Sequence, residues 1–534
     1  MIMAPYRSLL FIILDGFGIS LEKEGNPVAS ANLPTLKEIE AHFPFAVLQA
    51  SGVAVGLPWG EAGNSEVGHL TIGSGKVLYH HLPRIVNAIH DGSFFSNETL
   101  LAAVAHVRTH KGRLHIAGLL SSGSVHSYID HFYALLEFTR RADCTPVFLH
   151  VFTDGKDAPP EQGAGFLETL EKERNKEWPH ARFSSVTGRF FAMDRDEKWE
   201  RIQAAYDLMA KGAGERIASL SEYLATSYRA GISDEFIKPA LLVDRDWADP
   251  LEGIVRENDA LIFLNFREDS MREIAHAFAD ETFDHFPREK IPNLFIATMT
   301  EYEKGLHAGA AFPMAEIAWP LSRVLSEAGL RHLHLAETEK YAHVTYFFNG
   351  GREHPFPGEE RILIPSIPTA HPDEAPEMRA GEIAQKILEH MDTYEIIIAN
   401  FANADMVGHS GNFKAAVRAV EALDRALGIL MNAVLIRDTA MIVTSDHGNI
   451  ELKRNLITGE KVTKHSTDPV PLYLIGRELR RAKPLTAQEI EIRKKEVNGL
   501  LTDIAPTVIE LLQLKKPHEM TGKSLLPLLL KDLI

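Results

Sequence analysis

The sequence predicts an α/β protein of two domains, one inserted into the other. Three observations carry this prediction. Short apolar runs alternate with longer helical stretches for most of the chain, the pattern of mostly parallel sheets covered by helices. The 534 residues exceed what one hydrophobic core usually organises. Finally, one set of chemistry-bearing residues sits at both ends of the chain, while the middle carries a different set rich in Arg and Lys.

The first run, Leu9 to Leu14, ends on Asp15, so a carboxylate leaves a buried strand at its C-terminal end. In an open α/β sheet that is where chemistry is done. Next comes Gly63-Asn64-Ser65-Glu66-Val67-Gly68-His69, whose small residues allow a tight approach of strand to helix. Ser65 is the candidate nucleophile. A serine hydroxyl needs a base or a metal to activate it, and the absence of a Gly-x-Ser-x-Gly pattern favours a metal. Taken alone, Asn64-Ser65-Glu66 reads equally well as the cap of a helix beginning at Val67.

The middle of the chain supplies strand-like runs at Leu114 to Leu120, Val147 to Phe152, Ala260 to Leu264 and Leu294 to Thr298, with a further one at His343 to Phe348. Loop-like segments after these runs hold His126, Asp154-Gly-Lys156-Asp157, Gly188-Arg189, Arg195 and Asn265-Phe-Arg267-Glu-Asp269. Arginine grips phosphate or carboxylate with a planar fork, so this cluster suits a small, doubly anionic substrate. His126 either touches that substrate or caps a helix. Gly73-Ser-Gly-Lys76 and His307-Ala-Gly-Ala-Ala-Phe-Pro313 read as flexible crossings, which places the inserted domain at 78–312 and the discontinuous one at 1–77 and 313–534.

Towards the C-terminus, Ile396 to Ala399 precedes Asp405-x-x-x-His409, a spacing that puts both side chains on one helical face. The run Met441 to Ser445 leads directly into Asp446-His447-Gly448-Asn449, and His465 follows. Each of these residues alone has a bland reading as a turn or core residue. Together, Asp15, Asp405, His409, Asp446, His447 and His465 are six oxygen and nitrogen ligands without a thiolate, a set for two divalent ions of the zinc or manganese kind.

Composition bounds the rest. Apolar residues make up 45% and charged residues 24% of the chain, which excludes a disordered or fibrous protein. A formal charge of −17 argues against a nucleic-acid binder. The single cysteine, Cys144, excludes an intrachain disulfide framework and fits a reducing compartment. The N-terminal residues Met1 to Ser8 run into a strand without a cleavage pattern, and no apolar run approaches a bilayer span. The expectation is a cytoplasmic protein without membrane contact, monomeric, with a packed C-terminal helix around Ser524 to Leu530.

These segments carry a family resemblance over essentially the whole chain. Ile13-Leu-Asp15-Gly-Phe-Gly, Gly63 to His69, Gly188-Arg-Phe-Phe-Ala-Met-Asp-Arg195-Asp, Asn265-Phe-Arg267, Ala336-Glu-Thr-Glu-Lys340-Tyr-Ala-His, Asn400 to His409 and Thr444 to Asn449 resemble the cofactor-independent (2,3-bisphosphoglycerate-independent) phosphoglycerate mutases of the alkaline phosphatase superfamily. The resemblance implies an alkaline-phosphatase-like sheet with a second α/β domain inserted. It implies interconversion of 3-phosphoglycerate and 2-phosphoglycerate, with two manganese ions and without 2,3-bisphosphoglycerate. Asp405, His409 and His465 would hold one ion, and Asp15, Ser65, Asp446 and His447 the other. Ser65 would become a transient phosphoserine, Lys340 would stabilise the phosphoryl oxygens, and Asp157 would act as general acid and base. His126, Lys156, Asp157, Arg189, Arg195, Arg267 and Lys340 would contact the substrate.

Two positions depart from the family pattern. Lys156 stands where the family has arginine, keeping the charge but losing the fork. Ser270 stands where it has a second arginine, and Arg272, about 200° away around a helix, is no automatic substitute. The nearest alternative function is a metal-dependent phosphatase or a mutase of another small phosphorylated substrate. Because metal ligands and substrate cations fall on different domains, the reading also expects closure on substrate, with Gly73-Ser-Gly75 and Ala308 to Ala311 as hinges.

Overall fold

The computed structural model describes residues 6–243, 249, 251–313, 317–369, 371–455 and 458–533. Residues 1–5, read from sequence as leading straight into the first strand, lie outside that set. The chain divides into two compact units, Met1–His80 with Ala315–Ile534, and His81–Met314. Each has its own eight-stranded sheet and its own core.

In the first unit the strands lie in the order Glu359–Ile364, His332–Glu337, Ile396–Phe401, Ser8–Leu14, Thr439–Thr444, Val470–Ile475, Phe45–Gln49 and Gly499–Leu500. Every pairing is parallel except those of Val470–Ile475, which runs against both neighbours. The central strands Ser8–Leu14, Ile396–Phe401 and Thr439–Thr444 are buried almost end to end, as a sheet covered on both faces requires. Their register decides what meets at the edge. Leu14 lies beside Phe401 and Ile13 beside Thr444, so the loops holding Asp15, Asp405 and Asp446 leave the sheet at one C-terminal edge.

The second unit orders its strands Gly309–Ala310, Phe295–Thr298, Ala260–Phe263, Leu114–Leu119, Val147–Thr153, Ala181–Gly188, Ala240–Leu242 and Glu215–Ile217. All pairings are parallel save that between Ala181–Gly188 and Ala240–Leu242. Two separate apolar clusters, one around Leu114, Phe138 and Val151 and one around Phe152, Tyr206 and Phe263, make up most of its core.

Three sequence expectations need correction. His343–Phe347 is not a strand but a π-helical turn continuing the helix Thr338–Ala342, and Phe348 N–H bonds back to the His343 carbonyl at 3.0 Å. Its β-branched and aromatic residues imitate a strand, yet the adjoining helix and the acceptance of His334 Nδ1–H by the Val344 carbonyl at 2.5 Å hold it helical. Gly73-Ser-Gly75 is not a flexible crossing. Gly73 and Ser74 end the helix Ser65–Ser74, and Gly75, at φ +61°, is its left-handed cap, with N–H donating to Thr71 at 3.1 Å. A β-carbon on Gly73 would sit 2.1 Å from the Phe348 carbonyl oxygen, so glycine there serves close packing. Likewise Gly309–Ala310 is a short strand paired with Phe295–Thr298. The C-terminal apolar run forms the helix Leu526–Leu530 with Leu529 buried. Among the described residues no helix is long and apolar enough to cross a membrane.

Candidate active site

In the first unit, Asn64 is the helix cap, its side chain accepting the Val67 N–H at 2.9 Å. Ser65 therefore occupies the first helical position and leaves its hydroxyl free for the strand ends. The two sequence readings of this segment thus fall on adjacent residues. Ser65 Oγ lies 3.0 Å from Asp15 Oδ1 and 3.1 Å from His447 Nε2. Asp15 accepts the hydroxyl proton, and His447, protonated in the metal-free protein, donates to the serine oxygen. Lys340 Nζ donates to Ser65 Oγ at 2.6 Å, to Asp15 at 2.8 Å and to Asp405 at 2.6 Å.

This ammonium is 3% exposed, and burial alone would lower its pKa; Asp15 and Asp405 outweigh that and hold it above the ordinary lysine range. Burial alone would raise the Asp15 carboxyl, but Lys340 and then His447 hold it well below the usual carboxylate range. Burial also opposes a charged His447, yet Asp446, Asp15 and Asp405 keep its pKa up at about 9.

Asp405 and His409 lie one turn apart at the end of the helix Asn403–Gly408, as their spacing predicts. Asp405 Oδ1 is 3.3 Å from His409 Nε2 and 3.2 Å from His465 Nε2. Each imidazole has its Nδ1 on a carbonyl, His409 on Thr463 at 2.9 Å and His465 on Gly63 at 2.8 Å. A carbonyl only accepts, so each Nδ1 carries a proton, and each Nε2, turned towards Asp405, is the nitrogen that a cation would take once it is deprotonated. The two Nε2 atoms face each other at 3.1 Å, an arrangement that a shared cation satisfies.

Asp15, Asp405 and His447 converge in the same way, and Asp446 Oδ2 is buried without a well-aligned hydrogen-bond donor. The residues present therefore fit a divalent-metal centre. His69 and Asn400 were not singled out from sequence. His69 Nδ1 sits 2.8 Å from the Ser65 carbonyl and 3.0 Å from Asp446, and Asn400 donates to Asp15 Oδ2 at 2.7 Å. The four-residue step from Ser65 to His69 on one helix was the available signal.

In the second unit, the predicted cations also gather at C-terminal strand ends. Arg189 Nη1 reaches Asp154 at 2.6 Å and Asp157 at 3.0 Å. His126 Nε2 is 3.8 Å from Asp157, and its pKa is pushed down to about 4, by burial first and then by Arg189. Arg195 and Arg267 share Asp269, at 2.8 and 2.9 Å. Asp154 and Asp269, which the sequence reading named only within their segments, are thus the carboxylate partners of these arginines. Ser270 is buried against His126 Nδ1 at 3.0 Å, while Arg272 donates its Nε–H to the Tyr302 carbonyl at 3.0 Å. Arg272 is thus committed elsewhere. Lys156 pairs with Glu235 at 2.7 Å, its side chain more than half exposed.

Residues 85–304 match the family model described as the N-terminus of bisphosphoglycerate-independent phosphoglycerate mutase, and residues 292–517 match that of type I phosphodiesterase / nucleotide pyrophosphatase. The chain is 45% identical to the 2,3-bisphosphoglycerate-independent phosphoglycerate mutase of Moorella thermoacetica, over 98% of this chain and 99% of that one. It is 43% identical to the enzyme of the same name from Acetivibrio thermocellus, over 97% and 99%. A crystal structure of Leishmania mexicana phosphoglycerate mutase at low cobalt concentration is similar with a TM-score of 0.55 and 29% identity, each chain covered to 97%.

Proposed function

Because this chain belongs to the 2,3-bisphosphoglycerate-independent phosphoglycerate mutases, we propose that it interconverts 3-phosphoglycerate and 2-phosphoglycerate through a phosphoserine at Ser65. The observation that carries the proposal is the placement of Ser65 Oγ against Lys340, Asp15 and His447 in a buried pocket of charge. Asp405, His409 and His465 would hold one divalent ion, and Asp15, Ser65, Asp446 and His447 a second; their oxygen and nitrogen donors suit Mn2+. Bound there, the ions would neutralise phosphoryl charge and ease ionisation of the serine.

The chain's own groups then act in order. Ser65, its hydroxyl proton already lost to solvent, attacks phosphorus as the alkoxide, and the bond from phosphorus to the 3-oxygen breaks; the return step releases it again as the alkoxide. Asp157 gives that oxygen its proton. Glycerate reorients among His126, Arg189, Arg195 and Arg267, with Lys156 at the rim. Asp157 next takes the proton of the 2-hydroxyl, whose oxygen attacks the phosphoserine and releases Ser65. Lys340 balances charge on the phosphoryl oxygens throughout. A monomer working in the cytoplasm is part of the same proposal, and the single cysteine, Cys144, having no partner for an intrachain disulfide, fits a reducing compartment.

The test is an assay of Mn2+-loaded protein with 3-phosphoglycerate and no 2,3-bisphosphoglycerate, following 2-phosphoglycerate and free phosphate together, with mass spectrometry of the quenched enzyme. Formation of 2-phosphoglycerate and a phosphorylated Ser65 peptide is expected. Release of free phosphate without 2-phosphoglycerate would support the phosphatase alternative that Lys156 and Ser270 motivate.

A further inference from the structure

Behind the ligand candidates of the first unit runs the segment Asn449–Lys453, which reaches every loop that carries one of them. Glu451 is fully buried. Its Oε2 accepts the Gly18 N–H at 2.9 Å and the Asn449 N–H at 3.0 Å, and its Oε1 accepts the Ser466 hydroxyl. Those donors belong to three separate loops: the one after Asp15, the one holding Asp446 and His447, and the one holding His465.

Two residues on, Lys453 is 1% exposed and donates to the Gly408 carbonyl at 3.0 Å and to Asn449 Oδ1. Asn449 in turn donates to Asp405 Oδ1 at 2.8 Å. The fourth loop, Asp405 to His409, is thereby tied to the same segment. Neither buried charge is matched by a direct ion pair among the described residues. Each is instead bonded by backbone groups and neutral side chains, and Glu451 also meets the Asp468 carboxyl, whose pKa is pushed up to about 6, by burial first and then by Glu451; burying a charge is costly, and an apolar pair would serve stability at least as well. What the charged groups provide, and an apolar pair would not, is a fixed distance to four loops at once.

We propose that Glu451 and Lys453 are positioning residues of the metal centre: without touching substrate, they hold the four ligand-bearing loops in register and so set how tightly divalent cations bind. This rests on the reading that Asp15, Asp405, His409, Asp446, His447 and His465 are the ligands. Outer partners that orient metal ligands are typically worth about 10- to 100-fold in metal affinity.

The experiment titrates Mn2+ into metal-free full-length protein, read by calorimetry and by the electron paramagnetic resonance of unbound Mn2+, with circular dichroism as the check of folding. Glu451→Ala should weaken binding about 10-fold or more, and Lys453→Met should weaken it similarly. Glu451→Gln should restore near-wild-type affinity, because its carbonyl can take the two backbone N–H groups while Ser466 turns to accept from its amide. Ser466→Ala removes the hydroxyl's bond to Glu451 and its acceptance of the Asp468 N–H at 3.1 Å but keeps the backbone bond from Ser466 to Gly448 at 3.0 Å, so it should weaken binding about threefold, less than the usual effect of about 10- to 100-fold. In Mn2+-saturated enzyme, kcat should fall with KM for 3-phosphoglycerate unchanged, a split that general loosening of the fold would not produce.

Folded Glu451→Ala and Ser466→Ala proteins that bind Mn2+ like wild type would overturn the proposal. If Glu451→Ala does not fold, Ser466→Ala decides alone, and unchanged affinity there overturns it. A wild-type chain that takes up no Mn2+ overturns the metal reading itself, whereas normal wild-type uptake with unaffected variants overturns only the positioning role.

Discussion

Lys340 Nζ stands 2.6 Å from Ser65 Oγ while the same ammonium holds Asp15 and Asp405. One cation thus links the candidate nucleophile to carboxylates from two different strand ends, and it defines the centre from which activity can be tested.

Ser65→Ala should lower mutase turnover at least about 100-fold, since residues acting as a covalent unit lose most of their effect when one is removed. Folding should be little affected, because Asn64 rather than Ser65 caps the helix. Steady-state assay, bound-metal analysis and thermal melting check this together; a variant keeping a tenth of wild-type turnover would exclude the phosphoserine.

Lys340→Met should destabilise the metal-free protein by about 3–5 kcal/mol, the range for removing one partner of a buried ion pair. Asp15 and Asp405 would be left buried without their cation. Denaturant unfolding in chelator is the measurement, and added Mn2+ should recover part of the loss by binding the folded state. Equal stability of the two proteins in chelator would contradict the role given to Lys340.

Metal uptake should strengthen as pH rises. In the metal-free protein the neighbouring carboxylates hold His447 up at about 9, and a hydrogen bond to Asp405 raises His409. His447 is thus protonated at neutral pH, His409 holds its proton more tightly than a free imidazole, and each must be deprotonated to bind a cation. Apparent Mn2+ affinity should fall from pH 9 to pH 6, with protons released on binding, and excess Mn2+ should shift the acid limb of activity downwards. Calorimetry in buffers of different ionisation enthalpy would show the protons directly; uptake without proton release would remove the basis of the prediction.

Arg267 and Arg272 should behave oppositely. Arg267→Ala should raise KM for 3-phosphoglycerate about 10- to 100-fold, the equivalent of losing a charge-assisted hydrogen bond worth about 1.5–3 kcal/mol. Arg272→Ala, whose side chain is spent on Tyr302, should leave KM within about twofold, as a residue without substrate contact does. A large KM effect at Arg272 would mean that it does replace the arginine absent at Ser270.

Much of this was readable in the chain because its signals are local. The apolar runs ending in Asp15 and in Asp446-His447 placed these groups at strand ends, and the step from Asp405 to His409 predicted one helical face, since strand burial and helical period act over a few residues. Other features needed the fold. His343–Phe347 has the composition of a strand and only its continuity with the preceding helix makes it a π-turn; Gly73 and Gly75 look like a hinge until Phe348 and the helix end are seen around them. The engagement of Ser270 with His126, of Arg272 with Tyr302, and of Glu451 with three loops spans up to 433 residues of chain. Such partners are chosen by strand register and loop packing, which bring together groups that no local pattern relates.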